Sequence, residues 1–299
     1  MVLKRVLRNV RTFLPSERLR RIEQRLDRLA SGRATYVGGN RLLVRVIVAG
    51  RVLAYFVPAD DRQLVPSFVV EGAYETELTD FFVRELKRDS HCFDVGSNFG
   101  YFTCLMGKLC PHGRVIGIEA DEPMHAMTLD NITVNHIYGP ATALHAAAGA
   151  SEGEMTLFRR VTRSGNTSIL DVGEGLTKAL GEVPPQPFTA RSVPIDALRD
   201  EIGGRVDFMK VDVEGAEPLV ISGAQQTIRE NPQLTIVMEW SPGQISAAGF
   251  DLSAFLADME TLGLEPSDIT PKRVVPLSFS ELLNLPYRSG IMLRRWGSM

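Results

Sequence analysis

Cysteine is scarce in this 299-residue chain: three residues, Cys92, Cys104 and Cys110, with no CxxC pair. A sparse, odd set in a chain this long excludes a disulfide scaffold and points to reduced thiols in a cytoplasmic protein. The five histidines show no HExxH or HxxH spacing, so a zinc site is not indicated. No stretch is apolar enough for a spanning helix. The longest run without Asp, Glu, Lys or Arg, Asn131–Ser151, holds Asn, Thr, His and a Gly-Pro pair. Lys4, Arg5, Arg8 and Arg11 break the N-terminus, and a signal peptide is not expected. The GxGxxG dinucleotide spacing is missing too, and aromatics make up only 7%.

Charge is unevenly spread. The whole chain carries a net −3, which argues against a nucleic-acid binder, yet residues 1–33 hold ten Lys/Arg against three Asp/Glu. Within that segment Leu3, Val6, Leu7 and Val10, then Leu19, Ile22, Leu26 and Leu29, recur at helical spacing. Residues 1–35 therefore read as a basic amphipathic helical extension, packed on its own domain, forming a homodimer contact or touching a membrane peripherally. Residues 36–70 read as a β-hairpin and lead-in, with strands Arg41–Val48 and Arg51–Val57 joined across Ala49-Gly50. A helix is expected over Tyr74–Lys87, with Leu78, Phe81, Phe82 and Leu86 on its apolar face.

From residue 91 apolar strands alternate with helices. The runs are His91–Val95, Arg114–Glu119, Ala141–Ala147, Val206–Val211 and Leu234–Glu239, with the clearest helices near 122–135, 215–229 and 251–262. That rhythm predicts an α/β fold with a doubly wound, mostly parallel sheet over residues 71–299. Residues 272–276 and Ser289–Arg295 are expected to form an antiparallel edge pair. Gly173–Pro194, with Pro184, Pro185 and Pro187, reads as a long loop covering the site.

The chemistry gathers at strand ends. Phe93-Asp94-Val95-Gly96-Ser97-Asn98-Phe99-Gly100 is a buried strand, an acidic residue and a glycine turn that opens a helix. Ligands of open α/β sheets bind where such turns leave the strands. An acid just before the turn would repel pyrophosphate and suits a ligand with a cationic end. Glu119 ends the second strand, where a carboxylate can accept both hydroxyls of a ribose. A cationic end and a ribose describe S-adenosylmethionine better than a nicotinamide dinucleotide. Asp212 and Glu214 end the fourth strand beside Lys210, and Glu239 ends its neighbour. Their burial and mutual repulsion are expected to raise at least one pKa, as a general base requires. Glu214 could serve as an N-terminal helix charge alongside a functional role, and His145 is a weaker candidate.

These segments resemble the FkbM-type S-adenosylmethionine-dependent methyltransferases. The similarity rests on Phe93–Thr103, on Glu119-Ala120-Asp121 with Asn131 and Asn135, on Lys210–Glu217, on Gly72-Ala73-Tyr74-Glu75 and on Val193–Leu198. It covers about residues 40–295; Ser97 stands where the family commonly has Ala. The resemblance implies a class I methyltransferase (Rossmann-like) sheet of seven strands with the last antiparallel. It also implies methylation of a hydroxyl on a sugar, glycan or secondary metabolite. Glu75, Asp94, Gly96, Ser97, Asn98, Gly100, Tyr101, Phe102, Glu119, Ala120, Asp121 and Asp212 are then expected around the cofactor. Asp212, with Glu214 or Lys210, is expected to take the proton or orient the substrate. Two variants stay open: Mg²⁺ held by Asp212 and Glu239, which is not favoured, and a non-catalytic S-adenosylmethionine-fold binding module.

Overall fold

The computed structural model describes residues 34–173, 177, 181 and 183–295. The expected basic helices of residues 1–33 lie outside these. The described chain opens with an antiparallel meander of β1 (Thr35–Gly38), β2 (Arg41–Val48) and β3 (Arg51–Pro58). Val44, Val46, Leu53, Tyr55 and Val57 alternate inward as a half-buried sheet requires. Val48 faces Arg51 across a two-residue turn in which Ala49 and Gly50 both take positive φ, the geometry that suits the twist of a hairpin.

After a short helical stretch at residues 64–71 come α1 (Thr76–Glu85), β4 (His91–Val95), α2 (Tyr101–Leu109), β5 (Arg114–Glu119), α3 (Glu122–Val134) and β6 (Ala141–His145). The chain then forms β7 (Ala147–Ala148), β8 (Gly153–Arg159), β9 (Gln186–Val193), β10 (Phe208–Val211), α4 (Glu217–Ser222), α5 (Gln225–Glu230) and β11 (Thr235–Trp240). Last are α6 (Pro242–Ala247), α7 (Leu252–Thr261), β12 (Leu264–Ile269), β13 (Val274–Pro276), α8 (Phe279–Leu283) and β14 (Arg288–Arg295). No helix among the described residues is long and apolar enough to cross a membrane.

The main sheet has the order β13-β12-β14-β11-β10-β4-β5-β6. β6, β5, β4, β10 and β11 run parallel, and β14 runs antiparallel to both β11 and β12. This is the class I methyltransferase sheet; the short β13 at its edge makes the count eight rather than seven. The chain leaves β4 toward β5 and β6, then returns on the other side of β4 as β10. That reversal opens a crevice at the carboxyl ends of β4 and β10, which pair in register as Asp94 with Lys210 and Val95 with Val211.

Three expectations need correction. β14 is internal: four consecutive buried residues, Gly290 to Leu293, fit a strand covered on both faces, and the 274–276 strand pairs with β12 instead. The stretch expected as one loop contains β9, which joins β7 and β8 in a separate three-stranded sheet. Its inward positions include Ala190 and Ser192, and small or polar residues leave little hydrophobic alternation to read. The helix expected near 215–229 is two helices that break at Gly223, where the chain lies against the backbone of Gly149. All three cysteines are free and buried.

Candidate active site

Above the β4–β10 crevice lie two adjoining cavities of about 320 and 60 Å³, with Gly96, Asn98, Gly165, Asp212 and Glu214 common to both walls. Gly96 holds φ at +77°, and a Cβ there would overlap the Asp212 carbonyl oxygen. Only glycine lets the turn after β4 pass that close to the turn after β10. Gly100, at φ +83°, caps α2 against Thr128.

The smaller cavity has Glu119 and Ala120 in its wall, with Ala146–Ala148, Met155 and Leu157 as an apolar side. Glu119 accepts from the backbone N–H of Asn98 at 2.7 Å and of Asp121 at 2.8 Å. Burial pushes its carboxyl up to about 7 against those two donors. Each oxygen keeps a further lone pair for a ligand hydroxyl. Asp121 lies outside both walls, buried and paired with Arg159. Asp94 also sits behind the wall. Its Oδ2 accepts from the Thr103 hydroxyl at 2.6 Å, and burial raises its pKa.

The larger cavity collects Glu75, Ser97, Asn98, Tyr101, Phe102, Lys210, Asp212, Glu214 and Glu239. The expected convergence of carboxylates on one lysine is therefore present. Lys210 Nζ donates to Asp212 Oδ2 at 2.7 Å and lies 5.0 Å from the centre of the Phe102 ring. Burial alone would depress Lys210, but Asp212, Glu75 and Asp94 hold it above the ordinary lysine range. The same hydrogen bond ties Asp212 to the strand.

Glu214 is pushed up to about 8 by burial and by Asp212, while its two oxygens accept from Gln244 and from Asn166 Nδ2. Glu239 rises further, to about 10, through burial and the charges of Asp212, Glu214 and Glu217. Glu75 rises to about 7, chiefly by burial. The acidic residue in the first turn of α4 is Glu217 rather than Glu214, and it accepts from the backbone N–H of Val213 and Gly215 in the turn before that helix. One oxygen each of Asp212, Glu214 and Glu239 lies within 4.8 Å of the others, close enough to share a cation.

Gln63, Asn166, Ser241, Gln244 and Tyr287 also face this cavity. None was singled out from the sequence, for each is an isolated polar residue in a segment without a motif. His145 stands apart: exposed, stacked on His125 and bonded to the Ala120 carbonyl.

Among solved structures, an FkbM methyltransferase from Methylobacillus flagellatus KT aligns with 70% of this chain and 44% of its own, at 14% identity and TM-score 0.42. This chain thus spans less than half of that one. An O-methyltransferase from Bacillus cereus in complex with SAH aligns with 74% of this chain and 81% of its own, at 13% identity and TM-score 0.41. Methyltransferase sdnD of Sordaria araneosa is 24% identical over 239 residues, 70% of this chain and 89% of that protein. The model of the methyltransferase FkbM domain matches residues 94–263, from the acid behind the glycine turn to the end of α7 and the glycine after it. That match takes in more than half of the chain and both turns of the crevice, and the chain belongs to the FkbM methyltransferase family.

Proposed function

We propose that this methyltransferase moves the methyl group of S-adenosylmethionine to a hydroxyl of a small polar acceptor, such as a sugar or a hydroxylated secondary metabolite. The observation that carries this reading is the pair of joined cavities. One ends at the Glu119 carboxylate; the other is polar and lined by carboxyls whose pKa values burial has raised.

The residues present fit the cofactor. Ser97 Oγ and Asn98 Oδ1 are buried in the wall with no hydrogen-bond partner among the described residues, as groups awaiting a ligand would be. Glu119 would hold the ribose hydroxyls, with Ala120 and the Ala146–Ala148 side against the base. Gly96, Ser97, Asn98 and Tyr101 would hold the methionine end. Bound there, S-adenosylmethionine supplies an electrophilic methyl group on a cationic sulfur.

The chain's own part is to orient the acceptor and take one proton. Glu214 is the base this geometry favours. It titrates near physiological pH, and two amide donors hold its orientation. Glu239 stays protonated at neutral pH and can donate to an acceptor oxygen. Its Oε2 has no partner among the described residues.

The test is calorimetric titration with S-adenosylhomocysteine, followed by methyl-labelled cofactor with fractionated extract and mass spectrometry of the products. Labelled oxygen is expected. Glu214→Gln is expected to lower kcat by about 10²–10⁴ with little change in cofactor binding. Labelled nitrogen or carbon would overturn O-methylation, and binding without turnover would favour a binding module. Activity is expected to persist in EDTA, because Lys210 and a protonated Glu239 already relieve the cluster's charge; its loss would turn the reading to metal-assisted transfer.

A further inference from the structure

Asp61 is 2% exposed and belongs to none of the motifs above. Its Oδ1 accepts from the backbone N–H of Gln63 at 2.8 Å and of Leu64 at 2.7 Å. Its Oδ2 accepts from Ser164 twice, from the backbone N–H at 2.8 Å and the hydroxyl at 2.9 Å. Next to it, Arg62 N–H donates to the Thr162 carbonyl at 2.8 Å. One buried carboxylate therefore ties the lead-in after β3 to a turn 103 residues further along the chain. Bonds to an ionised acceptor are the stronger kind, and all four converge on this group.

The turn so held, Ser164–Asn166, lies across the cofactor cleft. Ser164 and Gly165 face the smaller cavity, and Gly165 and Asn166 the larger. Asn166 Nδ2 reaches Glu214 Oε1 at 3.3 Å, and a Cβ on Gly165 would lie 3.6 Å from the side-chain amide of Asn98. The turn thus touches the favoured base and the cofactor loop together.

We propose that Asp61 is a positioning residue of the methyl-transfer site. Its grip on Ser164 fixes the turn Ser164–Asn166 over the cleft, which aligns Asn166 with Glu214 and closes the cofactor site beside Asn98. The inference rests on the S-adenosylmethionine reading above. It predicts an effect on the cofactor as well as on rate, although Asp61 itself lines neither cavity.

Asp61→Asn is the discriminating variant. Its Oδ1 can still accept from Gln63 and Leu64, while its amide would set N–H against N–H at Ser164. The dissociation constant for S-adenosylhomocysteine should rise about tenfold or more, the loss expected when a charged acceptor is removed from buried donors. KM for the cofactor should rise with it and kcat should fall, because Glu214 loses its aligned amide. Ser164→Ala, which deletes only the hydroxyl bond, should give a smaller rise. In the double variant the second change should add little, since both act through one contact. All titrations are run below each variant's thermal transition, so a lowered melting temperature does not stand in for a binding effect. An unchanged dissociation constant in Asp61→Asn, or fully additive effects, overturns the proposal. Wild-type protein without affinity for S-adenosylhomocysteine would sink the cofactor reading, and this inference with it. Wild-type binding with an indifferent Asp61→Asn sinks the inference alone.

Discussion

Glu75, Asn98 and Glu214 hold φ at 39°, 50° and 53°, in the left-handed region that side chains avoid, and all three line the larger cavity. Each such residue costs about 1–3 kcal/mol and persists only where its surroundings enforce it. Asn98 and Glu214 lie in the two turns that crowd each other, with Gly96 the tightest point, and Glu75 stands at the start of α1. Gly96→Ala would add about 1–2 kcal/mol for the left-handed angle, besides an overlap with the Asp212 carbonyl that only a backbone shift relieves. Binding of S-adenosylhomocysteine should fall by at least about tenfold. Gly113→Ala is the control: its Cβ would overlap the Ser90 carbonyl at the other end of the sheet. It should lower the melting temperature and leave the affinity of the folded protein unchanged. Equal affinity loss in both variants would show general destabilisation rather than a local clash. At this scale the sequence was informative wherever a residue belongs to a strand-end motif, as Glu119, Lys210 and Asp212 do. It was silent on Asn166, Gln244 and Tyr287, which reach the cavity from segments whose local pattern specifies nothing.

The join between the meander and the main sheet depends on spacing shared by two kinds of element. Four residues along a helix advance about 6 Å, and two residues along a strand about 6.6 Å. Asn131 on α3 and Asn135 at its C-cap, four residues apart, therefore match Phe56 and Ala54, two apart on β3. Asn131 accepts from Phe56 N–H at 2.6 Å and donates to the Phe56 carbonyl at 3.0 Å. Asn135 does the same to Ala54, at 3.0 and 2.6 Å. The outer edge of β3 is thus paired by side-chain amides in place of another strand, and an exposed strand edge is avoided. Asn131 also donates to the Phe99 carbonyl at 2.7 Å, which links the meander to the glycine turn. Asn131→Asp keeps the size but faces two carbonyls with a group that cannot donate when ionised. Chemical denaturation should show a loss of about 2–4 kcal/mol, the cost of leaving buried partners unmet. A loss below about 0.5 kcal/mol would mean the amide contributes nothing net. The parallel strands and the β2–β3 hairpin were legible from apolar periodicity, and several strand bounds match residue for residue, whereas β1, β8 and β12 were not read from the sequence. Their partners were not: an amide clamp on a strand edge leaves no periodic trace, and Asn131 and Asn135 stood out only through the family resemblance. β9 escaped because small and polar residues fill its inner face.

At the scale of the whole molecule, the crevice stores protonation. Burial pushes Glu75, Glu119 and Glu217 up to about 7, Glu214 to about 8 and Glu239 to about 10. In the unfolded chain these groups return to the ordinary carboxyl range near 4.5. Between that value and the raised ones the native state binds more protons than the unfolded state, so stability must fall as pH rises. The sign is opposite to that of a salt-bridged carboxylate. The buried thiols of Cys92 and Cys104, raised above their ordinary range, act in the same direction at alkaline pH. The unliganded enzyme should therefore melt several degrees lower at pH 9 than at pH 6 in differential scanning fluorimetry. Glu239→Gln mimics the protonated side chain and removes the group raised furthest, so it should reduce that difference. Under the proposed function S-adenosylmethionine would bring a cationic sulfur to these carboxylates, so its stabilising effect should grow from pH 6 to pH 9. That of neutral-sulfur S-adenosylhomocysteine should grow less. A melting temperature that is flat or rising over this range would mean that the crevice carboxyls ionise as exposed ones do. Glu214 would then be an ordinary surface base, without the raised pKa that lets it take a proton near neutrality.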